Sequence, residues 1–538
     1  MTRRHSRRHR SSQLAHRKSG ARNGAGRLLA IAPWVAVATL TFATSAVAEP
    51  NRHVLRQLTN ITVGDIETPQ LRSQDGSKIA FVATGDVLGI GTSTVDRQIY
   101  LWTEATNTTV QVTNGIGCES YDPTRPTDGV FTGSRPEIVA FTSNCNHDPA
   151  VGNADGNYEI FFWETESGKF HQITDTVAPA DNGDAFVSDS GRCMVFRSSA
   201  DLDDNNPSNP NYDEGHPGPG FSNPDGSAEV FMMSKISGEG GFPIGYTMTQ
   251  VSNGPAGTTS EKPVVGGYWF ARQCQTTAWQ SDHDQFGGTR TGTFVWMYHR
   301  PGSEVRAMDY PGEMAESGLI GQFPDGQYTN VHISAASPFA RGPHIVFETE
   351  PDLWVNDSVG QDVFNFRVFH NRLTQFTDVG TTGITRRPNM SDGGGVVSLD
   401  STGELVNQKR AARIGGEPPF NADGNEEIFR LKGRRKIFQL TRSEDCSNTE
   451  ATIKDNGRRI TFRSTCDLIP GANPSGLPQV FMWSLQKSSD DIMQPGACDD
   501  AEGCCKYTRK EAGCYEPIFG TKPKPPRPNC VSKGNCDR

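Results

Sequence analysis

Carboxylates are the residues of this chain whose type and spacing could do chemistry. An acidic residue stands five positions after a Phe or Leu of a short apolar run at five places: Asp86, Asp201, Asp352, Glu404 and Asp467. A second acidic position directly precedes aromatic runs, at Glu159, Glu229, Asp362 and Glu427. Carboxylate oxygens bind hard cations, so a ring of them predicts a metal site or a surface for a basic partner. The alternative is that they cap loops by accepting hydrogen bonds from backbone N–H groups.

Calcium is the one cofactor for which the sequence offers ligands. The segments 153–157, 421–425 and 201–205 are rich in Asn, Asp and Gly, as calcium loops are. None has the full oxygen-ligand spacing that ends in a bidentate Glu. Turn formation therefore remains the alternative for each segment.

Signatures of familiar enzymes are absent from the sequence. There is no Gly-x-Ser-x-Gly, no His-Glu-x-x-His and no phosphate-binding loop. The trio Asp282, His283 and Asp284 stands alone, and a solvated loop histidine explains it as well. We assign no catalytic residue and no cofactor-binding residue from the sequence.

A short phrase, Gln followed by an apolar residue and Thr or Ser, recurs at wide and fairly even intervals. It begins at Gln57, Gln111, Gln172, Gln250, Gln375 and Gln439. Repetition on this scale is typical of solenoids, propellers and arrays, in which one supersecondary unit is used many times.

Each repeat predicts four short strands, because β-branched and aromatic runs alternate with Asp-Gly and Asn-Gly turns. The units span about 66–113, 120–174, 181–252, 260–309, 328–379, 386–441 and 448–486. The last unit lacks a fourth strand, and a spare strand, Val54 to Thr59, precedes the first unit. A closed ring solves both problems, since the spare strand can complete the last sheet and leave no open edge.

These repeats resemble the TolB-like (WD40-like) β-propeller repeat family. The resemblance is carried by the segments 73–81, 99–102 and 111–113, and again by 454–462. It implies an all-β, seven-bladed propeller over 49–487, and says little about function because this scaffold serves many functions. TolB itself has an α/β domain before its propeller, and this chain has none at that place.

Cysteines stand at matching positions of two units. Cys118 precedes the first strand of its unit and Cys145 ends the second strand, and Cys446 and Cys466 hold the same positions in the last unit. Adjacent antiparallel strands bring such ends together, so we predict the disulfides Cys118–Cys145 and Cys446–Cys466. A bridge between Cys193 and Cys274 is a guess.

The two ends of the chain differ in composition from the repeats. A basic segment, then an apolar run from Leu28 to Ala48 with a small-x-small end, predicts a signal peptide over 1–48; an uncleaved anchor is the alternative. Removing nine of 52 Lys and Arg leaves 43 against 62 acidic residues, a net charge of about −19, which excludes nucleic-acid binding. Six cysteines in a Pro- and Lys-rich tail over 488–538 predict a small disulfide-rich knot.

Strand alternation places the long loops between second and third strands, and the links between units, on one face of the propeller. We call it the long-loop face. Function on rigid scaffolds concentrates in such loops. We therefore expect a secreted or periplasmic binding or scaffolding module of the cell envelope or extracellular space, with a protein or polysaccharide partner on this acidic face and no membrane span after cleavage. The alternative is a metal-dependent polysaccharide lyase or hydrolase with its site at the propeller mouth.

Overall fold

The structure is a computed structural model, and its description covers part of the chain. The described residues are 53–71, 76–89, 94–124, 138–188, 193–202, 223–235, 246–268, 272–283, 292–299, 304–307, 326–334, 343–350, 361–367, 372–377, 379, 383–391, 393–403, 405, 421, 423–433, 436–454, 457–485, 505–508 and 511–514. All regular elements in these ranges are β-strands. Within them, no helix is long and apolar enough to cross a membrane.

The strands follow one another in groups of four that match the repeats. The first groups are β2 (Ile66–Leu71), β3 (Lys78–Gly85), β4 (Thr94–Thr103) and β5 (Thr108–Gln111); β6 (Ser120–Thr124), β7 (Ile138–Ser143), β8 (Glu159–Glu164) and β9 (Phe170–Gln172); β10 (Asn182–Val187), β11 (Cys193–Ser198), β12 (Glu229–Lys235) and β13 (Tyr246–Gln250). The next are β14 (Ser260–Tyr268), β15 (Arg272–Ser281), β16 (Gly292–His299) and β17 (Glu304–Ala307); β18 (Gly326–Ile333), β19 (His344–Thr349), β20 (Asp362–Arg367) and β21 (Arg372–Gln375). The last are β22 (Thr385–Met390), β23 (Val396–Ser401), β24 (Glu427–Lys432) and β25 (Lys436–Gln439); β26 (Asn448–Lys454), β27 (Arg459–Ser464) and β28 (Gln479–Leu485) with β1 (His53–Gln57).

Each group forms an antiparallel sheet in chain order. Among the described residues the groups that begin with β2, β6, β10 and β22 are separate four-stranded sheets, and β1 joins β26–β28 in another. The groups that begin with β14 and β18 are joined into one eight-stranded sheet, because β16 and β18 pair in parallel at Gly292–Gly326 and Thr293–Gln327.

The first strands of the groups contact one another in a cycle. β2, β6, β10, β14, β18, β22 and β26 each touch the next, and β26 touches β2. The apolar clusters combine residues of neighbouring sheets, as where Val480 and Met482 pack with Ile66 and Phe81. Sheets packed face to face around a central axis, with their first strands innermost, form a β-propeller.

The recurrent Gln-x-Thr/Ser phrase has a structural role in six of the sheets. Its hydroxyl accepts a hydrogen bond, 2.7–2.9 Å long, from the backbone N–H near the start of the third strand. The acceptors are Thr59, Thr113, Thr174, Ser252, Thr377 and Thr441. This bond fixes the point at which each outer strand ends, so the phrase recurs although the loops around it vary.

The spare N-terminal strand completes the last sheet, as the sequence predicts. β1 pairs antiparallel with β28 in the register His53–Leu485 to Gln57–Phe481. Beyond the strand, the Thr59 hydroxyl donates to Gln479 Oε1 at 2.8 Å, and the Ile61 N–H donates to the same oxygen at 3.1 Å. The two ends of the propeller sequence thus share one sheet.

Both predicted disulfides are present. The sulfur atoms of Cys118 and Cys145 bond to each other, and so do those of Cys446 and Cys466. Cys193 is also disulfide-bonded, but the Cys274 side chain lies outside the described part, so that pairing stays a guess. In the tail, β29 (Cys505–Thr508) and β30 (Glu511–Cys514) form a hairpin; the side chains of its cysteines are likewise outside that part.

The shared sheet predicts that the propeller depends strongly on β1. Deleting residues 51–60 removes five paired residues; at about 1 kcal/mol for each net hydrogen bond, the loss is on the order of 5 kcal/mol. We expect a marked fall in the melting temperature measured by circular dichroism. A synthetic peptide of residues 51–60, added in trans, should restore part of it. An unchanged melting temperature would contradict a closure that depends on this strand.

Candidate functional site

The innermost strand of every group breaks register near its long-loop end, and β14 breaks register a second time between Gly266 and Tyr268. Between the flanking paired residues the strand bulges, and one residue other than glycine takes a left-handed conformation with φ of 47–57°. We call these residues the channel ring. They are Thr68, Asp122, Asp184, Lys262, Asn330, Arg387 and Glu450. Counted from the long-loop end, six of them are the third residue of their strand and Asn330 is the fifth of its strand, so the ring surrounds the axis nearer to that mouth.

Four of the seven residues in the channel ring are not of the types that the conformation favours. A left-handed backbone suits Gly and, less well, Asn and Asp, and costs other residues about 1–2 kcal/mol each. Thr68, Lys262, Arg387 and Glu450 nevertheless occupy it. All members of the ring are polar. Strained backbone of this kind is concentrated at functional sites, so the side chains, not the conformation, account for the choice of residues.

Hydrogen bonds between neighbouring sheets hold part of the ring. The Thr68 amide donates to Glu450 Oε2 at 2.5 Å, and the Lys262 amide donates to Asp184 Oδ2 at 3.2 Å. At two further junctions a second-strand side chain accepts instead. The Asn330 amide donates to Gln280 Oε1 at 3.1 Å, and the Arg387 amide donates to Glu348 Oε1.

The same second-strand position carries shorter polar side chains in two other sheets. Thr142 and Asp400 occupy the places that Gln280 and Glu348 hold in their own sheets. The Thr142 hydroxyl and Asp400 Oδ1 are buried and have no hydrogen-bond partner in the structure. Threonine and aspartate lack the methylenes needed to reach the next bulge, so these junctions are not bridged in this way.

Two carboxyl groups of this region have pKa values near neutrality. Burial raises the pKa of Asp122 to about 7, with a further contribution from the neighbouring Asp184. Burial raises the pKa of Asp400 to about 8, although the Arg387 guanidinium, 3.4 Å away, opposes the rise. Both groups can gain or lose a proton near physiological pH.

None of the five acidic residues that the sequence singled out first is a member of this ring. Asp467 caps its own loop, because its carboxylate accepts from the amides of Gly471, Ala472 and Asn473 at 2.7–3.0 Å. Asp86 and Asp201 lie just after β3 and β11. Asp352 and Glu404 lie outside the described residues. Within the described part, no group of three or more His, Cys, Asp or Glu could hold a metal ion.

The second set of predicted acids stands at the links between sheets. Each accepts from the backbone amide two residues after the Thr or Ser of the recurrent phrase, as Gln98 and Gln479 do with their side-chain oxygens. The pairs are Gln98–Gly115, Glu159–Thr176, Glu229–Gly254, Asp362–Val379, Glu427–Ser443 and Gln479–Ile61. We call this contact the link clamp. Burial raises the pKa of Glu159 and of Glu229.

Two of the three loops that resemble calcium loops are closed by asparagine side chains, and residues 203–205 of the third lie outside the described residues. Asn153 Nδ2 donates to the Asn157 carbonyl at 2.9 Å, and Asn421 Nδ2 donates to the Asn425 carbonyl at 2.7 Å. Asp155 accepts from the Ala178 amide at 2.8 Å. These contacts are those of polar turns.

The sequence analysis missed the channel ring. A usable signal exists, because Pro follows the ring residue in four of the first strands, at Pro69, Pro123, Pro263 and Pro388. Proline cannot donate to the ladder and marks bulges within sheets. A polar residue followed by Pro inside a first strand therefore indicated the bulge.

No family model matches the chain, and no curated protein matches it. Similar solved structures include an oligogalacturonate lyase from Vibrio parahaemolyticus, which is 12% identical with a TM-score of 0.44 over 81% of this chain and 98% of that one. An oligogalacturonate lyase in complex with manganese is 10% identical, with a TM-score of 0.45 over 81% and 98%. The β-propeller domain of the Trilobed protease from Pyrococcus furiosus is 10% identical, with a TM-score of 0.43 over 80% and 98%. Likeness at this level carries no argument about the ligand or the reaction of the present chain.

Strain in the ring predicts an unusual response to glycine at Thr68. Its φ is 47°, and its hydroxyl has no hydrogen-bond partner. Replacing Thr68→Gly removes the steric cost and should leave the protein more stable than Thr68→Ala by about 1 kcal/mol. Urea unfolding of both variants measures this difference. If the alanine variant is the more stable, the left-handed strain is absent.

The raised pKa of Asp122 predicts a pH dependence of stability. Between about pH 4 and pH 7 the folded state keeps the proton that the unfolded chain has released, so stability falls as the pH rises through this window. Asp122→Asn should flatten the dependence of the unfolding free energy on pH. Its effect on this free energy should be more stabilising at pH 8 than at pH 4, by at most about 4 kcal/mol.

Urea unfolding at several pH values tests this expectation. Asp445→Asn is the matched control, since Asp445 is an exposed aspartate with a φ of 58° that lies outside the channel ring. Its profile should follow that of the unmodified protein. Identical profiles for all three proteins would show that Asp122 titrates normally.

Proposed function

We propose that this chain is an exported, seven-bladed TolB-like β-propeller that acts as a binding module of the cell envelope or extracellular space. Its ligand lies over the mouth of the channel on the long-loop face. The propeller occupies 49–487, after a signal peptide over 1–48 and before a tail over 488–538. The cyclic contacts of the first strands support seven blades, and the two disulfides are compatible with an oxidising compartment.

The observation that carries the binding role is the composition of the channel ring. A scaffold position with left-handed backbone is best filled by glycine, yet every unit places a polar side chain there. Several strained positions at one level would cost the fold a large share of its marginal stability. Side chains that contact a ligand at the mouth are the reason to retain them.

An enzyme acting at the mouth is the second candidate, a polysaccharide lyase or hydrolase. The observation in its favour is the pKa of Asp122, about 7, because general acid–base catalysis works best with a group whose pKa is near the working pH. Such a group can donate a proton to a leaving oxygen or remove one from a sugar carbon. The described residues include no group of three or more His, Cys, Asp or Glu that could hold a metal ion for such an enzyme.

Arrays of immobilised peptides and polysaccharides, probed with the purified chain 49–538, test the proposal. The channel variant is Lys262→Gln with Glu450→Gln, which removes two ring charges and leaves glutamine at 450 able to accept from the Thr68 amide. We expect it to lose at least about tenfold in affinity for every specific array ligand. Incubation with the polysaccharide ligands, followed by analysis of chain length, tests the enzyme alternative.

The control makes the same chemical changes on the opposite face. Lys169→Gln with Glu166→Gln alters two exposed residues in the turn between β8 and β9, away from the long-loop face. This variant should bind as the unmodified chain does. Equal binding by the channel variant, or equal loss in the control, would contradict a ligand at the mouth.

A further inference from the structure

Among the described residues, most of the exposed large apolar side chains lie on the long-loop face. The large hydrophobic residues most exposed in the described part are Val63, Val95, Val110, Ile116, Val151 and Val177. All but Val110 lie on this face. Val63, Ile116 and Val177 lie in links between sheets, Val151 lies in the connection between β7 and β8, and Val95 is the second residue of β4, next to the connection from β3. We call these five residues the apolar sector. Ile116, Val95 and Val177 are 96%, 89% and 79% exposed.

The links are not equivalent in this respect. Val63, Ile116 and Val177 occupy three consecutive links, whereas the link before β26 presents Arg442, Glu444 and Asp445. Single exposed apolar residues are ordinary on protein surfaces, but a group of them on one face marks an interaction site. Among the described links, those before β2, β6 and β10 are therefore the candidates for such a site.

Two tyrosines pack against each other beside Asp122 of the channel ring. Tyr121 and Tyr158 pack edge to face, with ring centroids 5.2 Å apart. Tyr121 directly precedes Asp122 in β6, and neither phenolic hydroxyl has a hydrogen bond within the described part of the chain. Tyrosine supplies a large contact area at low entropic cost and is common among the residues that dominate binding energy.

The charge around the tyrosines is negative. Arg97 is held by Glu67 at 3.2 Å and by Glu119 at 3.6 Å. Arg197 is held by Asp181 at 3.2 Å and by Asp184 at 3.4 Å. Each arginine thus faces two carboxylates and is already neutralised.

Further carboxylates in this region are oriented by neutral groups. Asp96 accepts from the Gly117 amide at 2.8 Å and Asp155 from the Ala178 amide at 2.8 Å. Their charge is not cancelled by these contacts. A surface of exposed aliphatic side chains and uncompensated carboxylates is complementary to a partner that is apolar and positively charged.

We propose that the apolar sector, with Tyr121 and Tyr158, docks a segment of another protein that carries Lys or Arg beside apolar side chains. This inference rests on the proposed binding function and specifies its partner. The aliphatic tips at the links favour a protein over a glycan, because they offer no hydrogen bonds to sugar hydroxyls; Tyr121 and Tyr158 suit either partner. The partner's apolar side chains cover the sector, and its cations reach the carboxylates around the tyrosines.

Selection of random linear peptides displayed on phage, against the immobilised chain 49–538, tests the inference. We expect enriched peptides to combine Lys or Arg with apolar residues. Fluorescence anisotropy with the enriched peptides measures the affinity. The dissociation constant of the double variant Ile116→Ser with Val177→Ser should be at least about tenfold larger than that of the unmodified chain. Binding should also weaken as salt is added.

Val110→Ser is the matched control. Val110 is 44% exposed but lies on β5, at the outer edge of its sheet, so this variant should bind the peptides normally. No enrichment, enrichment of acidic peptides, or equal affinity of the two serine variants would overturn the inference, as would glycans that compete for the sector. Peptide binding that depends on Lys262 and Glu450 but not on Ile116 and Val177 would overturn it while leaving the proposed function intact.

Discussion

The link clamp and the hydroxyl next to it hold the propeller together. The Thr or Ser hydroxyl marks the end of the outer strand, as that of Thr174 does. The backbone amide two residues later donates to a carboxylate or side-chain amide oxygen, as it does to Glu159, and this bond fixes the backbone of the link. Both bonds are buried, where an unpaired polar group would be costly. The chain therefore leaves each sheet at one position and in one direction, whatever the length of its loops.

A fixed exit from one sheet sets the start of the next innermost strand. After the six links that carry the clamp, the left-handed residue is the third residue of the next innermost strand, whereas Asn330, in the strand before which no clamp is described, is the fifth. The clamp uses a neutral amide at Gln98 and Gln479 and an acid at Glu159 and Glu229, where burial raises the pKa of the acid. The geometry of the link, rather than the charge, is what the repeat preserves.

Local patterns made much of the fold predictable. The repeat phrase and the turns gave unit boundaries close to the first and last strands of each sheet, and the missing fourth strand pointed to β1. The acids were harder, because a loop cap and a cation ligand require the same residue types at the same places; only the three amides around Asp467 identify it as a cap. The channel ring depends on backbone conformation, and its sequence signal, a polar residue before Pro, is short and occurs in four strands.

In a repeat protein, positions that keep one role in every unit build the scaffold, and positions that change from unit to unit are available for recognition. The link clamp keeps its role from Gln98 to Gln479. The second-strand position beside the bulge does not, because Gln280 and Glu348 bridge to the next sheet while Thr142 is too short to do so. The junction that Thr142 faces also adjoins Asp122 and the link of Val177. Among the described residues, this side of the mouth also carries the exposed apolar residues, where the proposed partner would bind.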